Sequence, residues 1–207
     1  MRSTWQYTLA GAVLVAGCAS MPGSSPAVSD AEVLQTLKAS FKEHGIARLD
    51  RLDQSDLQQQ CSRYATAPLP KDVRDRIAHD ALASVKYPAD GKYLGNWKEG
   101  EKIAQSGRGL QYNDTEKTVA GGNCYACHQL SKAEIAYGNI GPSLYNYGKL
   151  RGDSEATRKY TWVRIWNGHA YAPCNNMPRF GAAGILTEAQ LKDVMALLLD
   201  PASPVNQ

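Results

Sequence analysis

Apolar residues recur at helical spacing along most of the chain, and strict alternation of strand length is absent. Ser29 and Glu32 form an S-x-x-E capping box ahead of Val33, Leu34, Leu37 and Phe41, which share one helix face, and Gly45 is expected to close that helix. Leu49, Leu52, Leu57 and Cys61 are roughly in phase and predict a second helical stretch. A third starts at Pro70 and carries Val73, Ile77 and Val85, before Tyr87-Pro88-Ala89-Asp90-Gly91 breaks the pattern. Trp97, Gly100, Ile103 and Ala104 suggest a short helix, and Tyr160, Val163 and Trp166 a further one. The clearest element is the last. Thr187 and Gln190 make a capping box before Leu191, Val194, Met195, Leu198 and Leu199, and Pro201 ends it. Between these lie a polar, Gly-rich loop at 107–123, whose role the sequence does not assign, and the turn-rich GNIGPSLYNYG. The chain reads as all-α.

The first residues have a different character. Arg2 precedes an apolar run from Leu9 to Ala16, too short to span a bilayer, and small residues follow. Residues 1–17 read as an export signal. Val15-Ala16-Gly17-Cys18 resembles a bacterial lipobox, which makes Cys18 the candidate lipidation site; the alternative is a plain signal peptide cleaved nearby. Residues 18–28, rich in Ser, Pro and Gly, read as a flexible linker, 29–90 as a helical extension, and 91–207 as the main domain. The expected location is periplasmic, with a possible lipid anchor, where disulfides persist.

Length and composition narrow the classes further. At 207 residues the chain suits one core with an extension. A net charge of +3, with Lys and Arg scattered, gives no reason to expect nucleic acid.

The chemistry lies in Cys124-Tyr125-Ala126-Cys127-His128, a C-x-x-C-H motif. This is the attachment pattern of c-type haem: two thiols add to the two porphyrin vinyl groups, and the adjacent His ligates iron. A thioredoxin-like pair would need a βαβ context, and a zinc site would need a second ligand pair; neither is present in the sequence. One covalently attached haem c is therefore expected. For the second axial position the neutral candidates are His44, His79, His169, Met177 and Met195. His44 and His79 fall in the extension, and Met195 lies on the apolar face of the last helix, where methionine is ordinarily core. His169 and Met177 fall in the loop after the motif. Met177 is preferred because Pro178 stiffens the loop that would hold its weak thioether. Pro142 is a candidate acceptor for the other ring N–H of His128.

Five cysteines need placing. With Cys18 on lipid and Cys124 and Cys127 on haem, Cys61 and Cys174 remain. They either form a disulfide that pins the extension to the Met177 loop, or stay as two free buried thiols.

The segments GNCYACHQL, GNIGPSLYNYGKLRG, RIWNGHAYAPCNNMPRFG and ILTEAQLKDVMALLLDPASPVN resemble the SoxX subunits of SoxAX cytochromes, within the wider class I cytochrome c pattern of C-x-x-C-H, G-P-x-L and M-P. The resemblance implies a class I cytochrome c fold with an N-terminal helical extension, and one haem held by Cys124, Cys127, His128 and Met177. It also implies a heterodimer with a SoxA-like haem subunit. That pair oxidatively couples thiosulfate to a cysteine of a SoxYZ-like carrier and passes electrons to a soluble cytochrome c. The reactive haem then belongs to the partner, and no catalytic residue is expected on this chain. The alternative is a membrane-tethered periplasmic electron shuttle with no dedicated role in sulfur oxidation. A haem-based sensor is a third possibility, and it would need an open iron site.

Overall fold

A computed structural model describes residues 28–207. The export signal 1–17, Cys18 and all of the 18–28 linker but its last residue lie outside the described residues. Among these residues there are seven α-helices, several 3-10 turns and no strand; the single β-type contact is a bridge between His44 and Ala47.

The extension holds α1 (Asp30–Ser40), α2 (Asp56–Arg63) and α3 (Lys71–Ala83). The capping box starts α1 as expected: the Glu32 N–H donates to Ser29 Oγ, and the Ser29 N–H donates to Glu32. Its end differs from expectation. Phe41, not Gly45, caps α1, and Gly45 sits at φ +54 in the tight turn closed by the His44–Ala47 bridge. The stretch expected at 49–61 is two elements. A 3-10 turn covers Leu49–Leu52, and Ser55 with Gln58 forms a capping box that starts α2 afresh.

α1 buries no residue and is held from its end: His44 stacks on Tyr112 with ring centroids 4.2 Å apart and bonds the Tyr112 carbonyl at 2.8 Å. Arg51 donates to the Leu110 carbonyl at 2.9 Å. The loop at 107–123 is thus the landing place of the extension's first half. α3 is fixed more deeply. It buries Ile77 and Ala81, and two indoles reach back to the segment that follows it: Trp166 Nε1 donates to Ser84 O and Trp162 Nε1 to Lys86 O, each at 2.9 Å.

The main domain is built from α4 (Trp97–Gln105), α5 (Tyr147–Arg151), α6 (Glu155–Asn167) and α7 (Glu188–Leu199). The short α5 was hidden within a turn-rich sequence. The core gathers Trp162, Leu130, Phe180, Leu191, Met195 and Leu197, with Met195 fully buried. Burial of the α7 face contributes on the order of 25 cal/mol per Å² of apolar area. α4 crosses α7 closely at Gly100, where an added Cβ would overlap the Asp193 backbone. Gly100→Ala is therefore expected to cost about 1–3 kcal/mol by overpacking, despite the better helix propensity of Ala. A fall in the denaturant midpoint with unchanged slope would show it; a stabilised variant would contradict it.

Candidate functional site

The C-x-x-C-H motif begins where Asn123 turns left-handed (φ +46) after α4 and its loop. Cys124–Ala126 forms a 3-10 turn, and the His128 N–H donates to the Cys124 carbonyl at 2.9 Å, which closes the motif on itself. The following chain then folds back along it. The N–H groups of Gly138, Gly141 and Leu144 donate to the carbonyls of Tyr125, Cys127 and Gln129. Gly141 has a steric reason to be glycine, since a Cβ there would overlap the His128 imidazole.

This fold-back brings Pro142 to His128. The Pro142 carbonyl lies 2.7 Å from His128 Nδ1. A carbonyl can only accept, so Nδ1 carries the hydrogen and Nε2 keeps a free lone pair. The ring is thus prepared as a metal ligand through Nε2.

His128, Cys124, Cys127 and Met177 line one cavity of about 690 Å³. Leu130, Leu144, Ile165, Phe180, Leu186, Val194 and Leu198 supply much of its wall, from the segment after the motif, α6, the Met177 loop and α7. A cavity of roughly 300–1,000 Å³ with apolar walls and a few convergent polar groups suits a large, mostly apolar ligand. The donor set fits haem: two unbonded thiols, an imidazole nitrogen and a thioether on the walls of one apolar chamber. Burial pushes the Cys124 thiol up to about 12, so it stays protonated at neutral pH. No cluster of three or more His, Cys, Asp or Glu suited to a bare metal ion occurs among the described residues.

The rival ligands are placed elsewhere. His169 is in a 3-10 turn, Gly168–Ala170, and does not line this cavity. It accepts the Cys174 N–H on Nδ1 at 3.0 Å. Met195 is core, His79 is exposed on α3, and His44 stacks on Tyr112. Met177 is oriented by its own loop: its N–H donates to Asn175 Oδ1 at 2.8 Å, and Asn175 Nδ2 donates to the Ala172 carbonyl at 2.7 Å. Asn175 was not singled out from sequence; its role rests on local hydrogen bonds that a loop sequence alone does not specify.

The same loop is tied to the extension. Cys61 of α2 and Cys174 are joined in a disulfide, with Cα atoms 5.3 Å apart and 113 residues between them in sequence. Cys174 takes a left-handed φ of +60.

The cytochrome c family model matches residues 98–200, the stretch that carries both walls of this cavity. An uncharacterized lipoprotein of Aquifex aeolicus (strain VF5) is 40% identical over 158 residues, covering 74% of this chain and 73% of the relative. The chain belongs to the cytochrome c family. Its all-α architecture is the cytochrome c fold, and membership makes this a haem electron-transfer protein, haem c being the family's cofactor. Around the mouth of the cytochrome's cavity, Ile140 and Leu150 are exposed, with Arg151 beside Leu150.

Proposed function

We propose that this cytochrome carries one covalently attached haem c and serves as the electron-transfer subunit of a SoxAX-like complex. The observation that carries the haem assignment is the meeting of Cys124, Cys127, His128 and Met177 on one apolar cavity. Bound there, haem supplies one-electron redox chemistry. The chain's own residues do the rest. The two thiols anchor the ring as thioethers, Pro142 fixes the tautomer that leaves His128 Nε2 free, and the Asn175 contact holds the Met177 loop in place. The apolar wall excludes water, and thioether ligation raises the potential relative to two histidines, which suits an electron acceptor.

The narrower reading rests on the SoxX-like segments MPRFG and LLLDPASPVN, which lie on the Met177 loop and on α7 with its exit. In that role a SoxA-like haem subunit presents the reactive site to a SoxYZ-like carrier. Electrons leave through this chain to a soluble cytochrome c. Exposed Ile140 and Leu150 at the cavity mouth offer a contact surface for such a partner. We place the protein in the periplasm, tethered through lipid on Cys18. The lipobox-like Val15-Ala16-Gly17-Cys18 supports this, as does the lipoprotein name of the relative. The same two features favour a second reading, a tethered electron shuttle serving several redox proteins. A sensor role fits less well, because it needs an open iron site and Met177, on the wall of the same cavity, would serve as a further ligand.

Purification of the intact chain from native membranes tests both. A stable heterodimer that reduces a soluble cytochrome c only with thiosulfate and carrier present supports the complex. A chain that runs alone and exchanges electrons equally with unrelated cytochromes supports the shuttle and rules out the first reading.

A further inference from the structure

A second cavity lies behind the Met177 loop. It measures about 750 Å³ and is an open cleft between α2 and residues 174–179. The two cavities share Asn175, Asn176, Met177 and Pro178 as a common wall, while His169, Leu57, Leu69 and Arg179 face this cavity and not the other.

Its formal charge is one-sided, set among the neutral polar side chains of Gln54, Gln58, Ser62, Asn175 and Asn176. No carboxylate lines it. Arg179 has no acidic partner among the described residues. The two carboxylates flanking this wall, Asp53 and Asp56, are already taken up by Lys38 and Arg76. His169 is only 7% exposed and its Nδ1 accepts the Cys174 N–H, so Nε2 carries the hydrogen. That Nε2–H has no protein acceptor among the described residues, and His169 lines the cavity. That N–H is open to the cavity and free to donate to a guest, and the half-buried Arg179 guanidinium adds a positive charge that no lining carboxylate faces. Burial, and then the charge of Arg179, hold the His169 pKa below its ordinary value, which keeps the ring neutral and Nδ1 available to Cys174. Leu57 of α2 and Leu69 supply apolar wall. The volume far exceeds that of an inorganic ion and falls in the range of small-molecule sites.

We propose that this cavity binds a small organic anion with a carboxylate or sulfonate head, gripped by Arg179 and the His169 Nε2–H, with its apolar body against Leu57 and Leu69. The site goes beyond electron transfer and does not depend on the sulfur-oxidation reading. Because Arg179 follows Met177 by two residues, occupancy places a negative charge against the loop that carries the distal ligand. An anion that binds the oxidised form tenfold more tightly than the reduced form lowers the midpoint potential by about 59 mV.

The test is calorimetric titration of the purified haem-loaded protein with benzenesulfonate, with neutral benzenesulfonamide and with sulfate, at constant ionic strength. The expected result is one saturable site for benzenesulfonate, with benzenesulfonamide and sulfate each at least tenfold weaker, since the first lacks the charge and the second the apolar body. Arg179→Gln should weaken benzenesulfonate at least tenfold and leave benzenesulfonamide unchanged. Leu57→Trp, which fills the cavity from α2 and leaves the ligand loop's own sequence unchanged, should abolish binding even if Arg179→Gln disturbs Met177. Equal affinity for sulfonate and sulfonamide, no saturable binding, or wild-type binding by Leu57→Trp would each overturn the proposal.

Discussion

Met177→Ala is expected to abolish the weak far-red band of a thioether-ligated ferric haem and to lower the midpoint potential by more than about 100 mV, on a scale where axial ligands span about 0.8 V. The geometry separates this variant from its rival. Met177 lines the chamber that holds Cys124, Cys127 and His128, whereas His169 faces the cavity behind the loop. His169→Ala should therefore keep the band. It removes the acceptor of the Cys174 N–H, so a modest loss of stability, about 1 kcal/mol, is its expected signature. Absorption spectra of the two oxidised variants, followed by potentiometric titration, settle the matter. Loss of the band in His169→Ala with its retention in Met177→Ala would refute the ligand assignment.

The second large effect is expected from the disulfide. The double variant Cys61→Ser, Cys174→Ser removes a cross-link that closes 113 residues of sequence. The chain-entropy model gives about 4–5 kcal/mol for a loop of that order. The expected loss is smaller, about 2–3 kcal/mol, because the segment after α3 is separately held to α6 by the two indoles and a denatured chain is more compact than a random coil. A further effect is local. Cys174 holds a left-handed backbone three residues before Met177, and without the bond to α2 that conformation loses its tether. Exogenous imidazole should then displace the thioether at lower concentration than in the wild type. Guanidinium unfolding and imidazole titration measure the two effects separately. An unchanged unfolding midpoint together with an unchanged imidazole affinity would show that the bond constrains nothing.

What could be read from sequence follows the range over which each feature is determined. Thioether attachment and ligation need two thiols and an imidazole on one short turn, so the motif is contiguous and legible. The capping boxes at Ser29 and Thr187 are legible for the same reason: each is complete within four residues. The break before α2 also had a local signal, Ser55 with Gln58, but the apolar phasing of Leu49 to Cys61 masked it. Gly45 was misleading because its turn is stabilised from far along the chain, by Tyr112 against His44. The role of residues 107–123 was invisible on similar grounds, since Arg51 reaches Leu110 across 59 residues. Sequence could prefer Met177 to His169 but could not show that Met177 reaches the chamber of the two thiols and His128 while His169 does not. The second cavity had no sequence signature, because its walls come from α2 and from a loop more than a hundred residues later.

The indole bonds from Trp162 and Trp166 to Lys86 and Ser84 bear on what counts as a domain here. Their donors belong to α6 and their acceptors to the tail of the extension. A chain begun at residue 91 would keep every haem-cavity residue, yet strip Trp162 and Trp166 of both their acceptors and the segment packed over them, and so bare apolar ring surface to water. The border near residue 90 is thus a change in composition and not a seam. Α smaller cytochrome cannot be cut from this one by trimming its front, and loosening of α3 would be felt first by the two aromatic rings that fill the centre of the core.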